Sequence, residues 1–274
     1  MSRAPSADRQ PQRAKLDARP FAKGDGPKGA LVLHGLTGTP HEVRALALAL
    51  ADRGFAVRSP ALAGHHDLAA LEASRWRDWY ASVEAAWDEL RDGGRREVML
   101  VGFSLGGLLS LRLAALRPLE VAALAVFSVP LALPPWQRRA IRALAKLRKL
   151  GGLRRLVGVM PKEGPDVRIH REFVDSPSLR GVPWPTLVEF VALQDEVAAL
   201  LPHVRAPLLV VHGKLDHTAP VTDSDRLVQR VGSLRVQRLI LPRSFHQVGL
   251  DVERDEAAAA LVRFAVAELG DPQP

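Results

Sequence analysis

Short apolar runs of strand length alternate with longer stretches of helical period through most of this chain, and that rhythm limits its fold more than any other feature. Ala30–Leu33 reads as a buried strand, and the pattern from Glu42 to Arg53 as a helix. Phe55–Arg58 is strand-like and closed by Pro60. A helical stretch from Ser74 to Leu90 stops at Gly93 and Gly94. Strand Val98–Val101, helix Leu105–Leu116 and strand Val121–Phe127 follow. The rhythm then breaks at Pro130, Pro134 and Pro135, in a proline-rich region that runs to Pro185. It resumes with helices at Leu187–Leu201, Asp223–Val231 and Val252–Leu269, and strands at Leu208–Val211 and Val236–Leu241. Such alternation calls for parallel strands joined by right-handed crossovers, with helices on both faces. The expected class is α/β, a mostly parallel sheet. Residues 21–130 and 185–270 form its core, a small helical cap is inserted at 131–184, and a disordered tail covers 1–20.

Composition narrows the chemistry. Of the 274 residues 47% are hydrophobic, enough for a real core, and none is cysteine. A disulfide framework, a thiolate metal site and a cysteine nucleophile are therefore excluded. No apolar run approaches the length of a membrane span. The polar first thirty residues lack a signal-peptide core, so a cytoplasmic protein is expected. The net charge of +8 is unevenly placed. Residues 1–30 hold seven Lys or Arg against three Asp, and residues 137–155 hold eight with no acid. The rest of the chain is slightly acidic, which argues against a nucleic-acid partner. From Trp136 to Leu150, Ile141, Leu144 and Leu147 make a short apolar stripe among Arg138, Arg139, Arg142, Lys146, Arg148 and Lys149. This basic amphipathic helix either lays its apolar side on the domain or makes peripheral contact with an anionic membrane surface.

In open α/β sheets, ligands sit at the carboxyl ends of strands. Directly after Val98–Val101 comes Gly102-Phe103-Ser104-Leu105-Gly106-Gly107, then a helix. G-x-S-x-G in that setting is a strained strand-to-helix turn that exposes a serine hydroxyl, with glycines where side chains would collide. A serine needs a base oriented by an acid, in the chain order Ser, Asp, His. Asp216 follows strand Leu208–Val211 in His212-Gly213-Lys214-Leu215-Asp216, and His246 follows Val236–Leu241. The expected catalytic set is thus Ser104, Asp216 and His246. Asp223 and Asp225 are fallback acids that read better as first-turn helix residues. Oxyanion donors are expected from the backbone N–H of Leu105 and of Leu36, the latter in His34-Gly35-Leu36-Thr37-Gly38. His34 reads as a structural histidine of that loop, and His65-His66 as loop packing. His212 and His217 flank Asp216, but no zinc-type spacing is present, so neither metal nor cofactor is expected.

Taken together, LVLHGLTGTPHEVRALALAL, GFSLGG, HGKLDHTAPV and SFHQVGLDVERDEAAAALVRF resemble the small bacterial carboxylesterases and monoacylglycerol lipases of the α/β-hydrolase fold. The similarity covers roughly residues 20–130 and 185–270. It implies a Ser104–Asp216–His246 triad, the Leu36 and Leu105 oxyanion hole, and a cap at about 130–185. Short- to medium-chain acyl esters, including monoacylglycerols, are the implied substrates. The oxyanion stretch is H-G-L-T rather than H-G-G-G, which argues against the branch resembling hormone-sensitive lipase. Ala61-Leu62-Ala63-Gly64-His65-His66 departs from the usual Gly-His-Gly style loop.

The sequence thus points to a metal-independent serine esterase acting on a small-molecule acyl ester, its pocket formed partly by Leu131, Leu133, Trp136, Leu153 and Val157. Trp184 and Phe190 are further candidates. Thioesterase or acyltransferase chemistry on the same three residues is the enzymatic alternative. A non-catalytic binding protein docking through the basic helix is the alternative from another class.

Overall fold

A computed structural model of the protein describes residues 16–149 and 158–272. Most of the expected tail, 1–15, and two of the expected pocket residues, Leu153 and Val157, lie outside the described residues. Among the described residues, strands β1 (Phe21–Lys23), β2 (Gly29–Leu33), β3 (Ala56–Ser59), β4 (Val98–Phe103), β5 (Val121–Phe127), β8 (Leu208–Gly213) and β9 (Val236–Leu241) form one sheet. Its order is β1-β3-β2-β4-β5-β8-β9, with only β1 antiparallel to its neighbour. Helices α1 (Arg44–Ala51), α3 (Trp76–Asp92), α4 (Leu105–Leu116), α8 (Thr222–Arg230) and α9 (Arg254–Leu269) join or follow these strands. A short α2 (Leu68–Ala73) precedes α3.

Parallel strands buried on both faces need apolar residues at every position, and β2, β4, β5 and β8 supply them. On β4, Val98 and Leu100 join the layer that contains Trp79, Trp87, Leu108 and Leu193. Met99 and Val101 join the opposite layer, with Leu46, Leu50, Leu261 and Phe264. This period-two division, repeated on β2 and β5, fixes the register, because a one-residue slip would exchange the two faces.

Several boundaries moved for identifiable reasons. The first expected helix opens as a 3-10 turn, Pro40–Val43, because Pro40 has no N–H and Thr39 is extended. Helix α3 begins at Trp76, not Ser74. The Asp78 carboxylate accepts the Arg75 N–H at 2.8 Å, and the Ser74 hydroxyl accepts the Trp79 indole N–H at 2.8 Å. Helix α9 starts at Arg254 rather than Val252, since the preceding acids are tied to another loop described below. Strand β1 and helix α2 were not expected. Three residues are too few to show a period, and α2 owes its start to Asp67, whose side chain accepts the Ala70 N–H.

Between β5 and α7 (Trp184–Leu200) lie α5 (Pro135–Lys149), the two-residue strands β6 (Met160–Pro161) and β7 (Gly181–Val182), and α6 (His170–Asp175). Ile141 of α5 packs with Val182 and with Leu187 and Val191 of α7. Ile141 of the basic helix therefore faces the domain, whereas Leu147 of the same stripe is 42% exposed. No helix among the described residues is long and apolar enough to cross a membrane.

Leu100 lies at the centre of the sheet with no exposed surface. Leu100→Ala should lower unfolding stability by about 2–5 kcal/mol through lost transfer energy and a residual cavity. A urea midpoint that falls without a change in m-value checks this.

Candidate active site

The loops after β2, β4, β8 and β9 leave the same edge of the sheet, and they carry the expected residues. Ser104 sits between β4 and α4 with φ 53° and ψ −113°, a left-handed conformation rarely adopted by a residue with a Cβ. Close packing holds it there. A Cβ at Gly102 would overlap the Gly106 carbonyl, and one at Gly106 would overlap the Leu33 carbonyl of β2. The Ser104 N–H donates to Phe127 O at 2.9 Å, which pins the turn to β5.

The structure brings Ser104, His246 and Asp216 into one line. His246 Nε2 lies 3.1 Å from Ser104 Oγ, and His246 Nδ1 lies 2.7 Å from Asp216 Oδ2. A carboxylate only accepts, so Nδ1 carries the proton and Nε2 accepts from the serine hydroxyl. Asp216 has no exposed side-chain surface. Burial works against its ionised form. The charge of His246, the N–H groups of His212 and His246 and the Ala219 amide outweigh this and hold the carboxyl well below the usual carboxylate range. Its Oδ1 accepts the Thr218 and Ala219 N–H groups at 2.8 and 2.7 Å. His212, which the sequence offered only as a flank of Asp216 without zinc-type spacing, places Nε2 3.1 Å from Asp216 Oδ2 and 3.2 Å from Ala219 O. It thus grips both the acid and the turn that holds the acid. Gly213 is required beside it, because a Cβ there would meet the Phe245 carbonyl of the histidine loop.

The fallback acids are used elsewhere. Asp223 accepts the Leu131 N–H at 2.9 Å and pairs with Arg226, and Asp225 pairs with Arg238.

The loop that carries Leu36 is held from several sides. His34 donates from Nδ1 to Gly35 O at 2.9 Å and accepts the Leu62 N–H on Nε2 at 3.0 Å. Burial, then the neighbouring His65, depresses its pKa to about 3, so it is a structural group rather than a second base. His65 is likewise pushed down to about 4 by burial, and packs edge-on to His34 and Trp79. Glu42 accepts the Gly35 N–H at 3.0 Å, the Gln247 side-chain N–H at 2.7 Å and the Ser178 hydroxyl at 3.3 Å. It ties the loop of Gly35 and Leu36, the loop of His246 and the segment before α7 together. Burial pushes its carboxyl up, opposed chiefly by Lys162.

Glu42 was missed in the sequence because an acid at a helix start already has a sufficient explanation in the helix dipole. Asp251 and Glu253 were missed for the same reason. Asp251 accepts the Phe245 N–H at 2.7 Å, and Glu253 accepts the Ser244 hydroxyl at 2.7 Å and the Arg243 N–H at 2.9 Å. They anchor the loop that presents His246.

Ser104 and His246 open into a cavity of about 520 Å³. Leu36, Leu133 and Trp136 are in its wall, as are Trp184 and Phe190. Ile141, Leu144, Met160 and Val182 extend the apolar surface. Leu131 does not line it. Its side chain is 4% exposed and belongs to the core layer with Leu105 and Val129. Among the described residues, no group of three or more His, Cys, Asp and Glu is arranged to hold a metal ion.

A sheet of this order carrying a left-handed serine after its fourth strand defines an α/β hydrolase. The chain belongs to the family described as serine aminopeptidase, S33, which matches residues 26–253. It is 29% identical over 238 residues to the thermostable monoacylglycerol lipase of Bacillus sp. (strain H-257), covering 86% of this chain and 90% of that one. It is 26% identical over 242 residues to a carboxylesterase of Bacillus subtilis (strain 168), covering 86% and 92%. A metagenome-derived lipolytic enzyme (LipS or LipT) superposes with a TM-score of 0.81 at 26% identity, over 90% of this chain and 96% of that one. The monoacylglycerol lipase of Paleococcus ferrophilus does so with a TM-score of 0.74 at 19% identity, over 92% and 100%, a likeness of fold.

Because His34 and His65 are held uncharged in the folded state, unfolded chains bind more protons below the ordinary histidine pKa of 6.5. Their contribution is intact above pH 6.5 and is lost as pH falls toward 4, by up to about 1.4 kcal/mol per pH unit for each histidine. Glu42, with its carboxyl pushed up, works in the opposite sense over part of that range. Urea unfolding between pH 7 and pH 4 should show a net fall, and a flat profile would contradict the buried neutral state.

Proposed function

We propose that the protein hydrolyses carboxylic esters through an acyl-enzyme, with Ser104 as nucleophile, His246 as general base and acid, and Asp216 as the group that orients and stabilises the imidazolium. The observation that carries this reading is the hydrogen-bonded line from Ser104 Oγ through His246 to Asp216, opening into a largely apolar cavity. His246 Nε2 takes the hydroxyl proton as Oγ attacks the ester carbonyl. The backbone N–H groups of Leu36 and Leu105 receive the oxyanion. The N–H of Leu105 is available because it opens a helix. His246 then protonates the departing alcohol, and a water activated by the same nitrogen releases the acid.

The apolar wall suits a short- to medium-chain acyl group, and the described residues between β5 and α7 act as a cap over it. Relatives that are a monoacylglycerol lipase and a carboxylesterase support ester substrates, monoacylglycerols among them. The family description raises aminopeptidase activity as a second reading. A peptide's terminal ammonium would need a free carboxylate in the cavity. Glu42 already accepts three donors, and Asp166 accepts the His217 ring and backbone N–H groups at 2.9 Å each. This favours the ester. Ser104→Ala and His246→Ala should each lower kcat/KM for p-nitrophenyl butyrate by at least about 10⁴-fold with the fold retained, and Asp216→Asn by about 10⁴-fold. Alanine p-nitroanilide should not be cleaved. A Ser104→Ala enzyme within about 100-fold of the unaltered kcat/KM would defeat the assignment.

The reading extends to peripheral contact with anionic lipid. Trp136 is 66% exposed at the cavity wall and Leu147 is 42% exposed. Arg139, Arg142 and Lys146 are exposed on the same helix. An aromatic beside a pocket opening, flanked by cations, suits a lipid–water boundary. Sedimentation with phosphatidylglycerol vesicles should exceed that with phosphatidylcholine, and Arg139→Glu with Lys146→Glu should abolish the difference. Equal partitioning by the unaltered protein would remove membrane contact from the reading.

A further inference from the structure

The loop that presents Leu36 has a conformational problem of its own. Thr37, the next residue, has φ 63°. A β-branched side chain in the left-handed region is a costly arrangement, of order 1–3 kcal/mol, and persists only when its surroundings hold it. The side chain of Thr37 donates to Leu36 O, its own neighbour, which cannot fix the loop relative to the rest of the protein. The ties that can fix it come from the segment between β5 and α7. Lys162 Nζ donates to Thr37 Oγ1 at 2.8 Å, and the Leu179 N–H donates to Thr37 O at 2.8 Å. On the other side of Leu36, the Gly35 N–H is held by Glu42, which also accepts from Ser178 of the same segment. Lys162 is itself anchored, since its N–H donates to Arg180 O at 3.2 Å. Burial pushes the Lys162 ammonium down, with Glu42 acting against that shift.

We propose that Lys162 is a positioning residue for the oxyanion hole: from the cap it holds Thr37 in its left-handed conformation and thereby aims the Leu36 N–H, so that the hole is complete only while the cap is seated. The inference rests on the esterase reading above. It has a specific kinetic consequence. A group that orients an oxyanion donor acts on the transition state more than on the bound substrate, so its loss lowers kcat and leaves KM nearly unchanged. A lysine that instead bound the substrate's alcohol would raise KM. A lysine that merely braced the cap would lower thermal stability without this division.

The test compares the unaltered protein with Lys162→Met, Thr37→Val and the double variant on p-nitrophenyl butyrate, with a trifluoromethyl ketone as the oxyanion-mimicking inhibitor. Lys162→Met keeps the side-chain length and removes the donor. It should lower kcat by about 10- to 100-fold, somewhat less than deletion of an oxyanion donor outright. KM should change by less than about twofold, and inhibitor affinity should fall in parallel with kcat. Thr37→Val removes the acceptor, so the double variant should be little worse than either single one. Lys162→Arg, which can still donate, should recover most of the loss. The idea is overturned if KM rises while kcat holds, if inhibitor affinity is unaffected, or if the two single effects multiply. Should Lys162→Met fail to fold, as judged by its circular dichroism, the Thr37→Val and Lys162→Arg arms decide alone. A Thr37→Val enzyme with unchanged kcat and inhibitor affinity then overturns the idea. Ser104→Ala serves as the separate control. If that variant stays within about 100-fold of the unaltered kcat/KM the esterase reading fails, whereas normal loss in Ser104→Ala with no effect at Lys162 defeats only the positioning role.

Discussion

Three backbones approach one another where β4 turns into α4, and the remainder of the site is arranged around that approach. Gly102 lies against the Gly106 carbonyl, Gly106 against the end of β2, and the Ser104 N–H is bound to the end of β5. Side chains at either glycine would push the strands apart. With them absent, the turn is tight enough to force Ser104 to a positive φ and raise its hydroxyl above the sheet edge. The same contact places the start of α4 beside the end of β2. Leu105 and the loop that carries Leu36 therefore come to the same rim.

Two buried carboxylates near His246 illustrate how surroundings set a role. Asp216 is enclosed by two imidazoles and two backbone N–H groups, which together outweigh burial and keep it ionised. Glu42 is enclosed by donors that include a glutamine amide and a serine hydroxyl, and there burial prevails and its carboxyl is pushed up. One group is suited to balancing an imidazolium. The other is suited to joining loops. At Glu42 the nearby Lys162 acts against the shift but does not offset complete burial.

Much of this was legible in the sequence where local physics decides the outcome. The four central strands β2, β4, β5 and β8 could be read from continuous apolar runs, since a strand covered on both faces tolerates little else. G-x-S-x-G could be read because the steric reason for each glycine is local. Asp216 and His246 could be picked out because both follow strands directly. The residues that support them could not. Glu42, Asp251 and Glu253 each sit at a helix start, where an acid already has a reason to be, and nothing local shows that their carboxylates turn inward to another loop. Leu131 failed for the complementary reason. An apolar residue at the edge of an insertion fits a pocket wall or a core equally well, and here it is covered by the core.

The amino-acid order by itself determined the α/β class, the strand order of chemistry along the chain, and which serine could be raised on a strained turn, because these depend on contacts between residues close in sequence. Only the tertiary structure decided that Ser104, His246 and Asp216 come within hydrogen-bonding distance, that Glu42 joins three loops, and that Lys162 reaches Thr37 across 125 positions. Those are contacts between groups on different loops, and their distances are set by how helices pack on the two faces of the sheet, which no short stretch of sequence encodes.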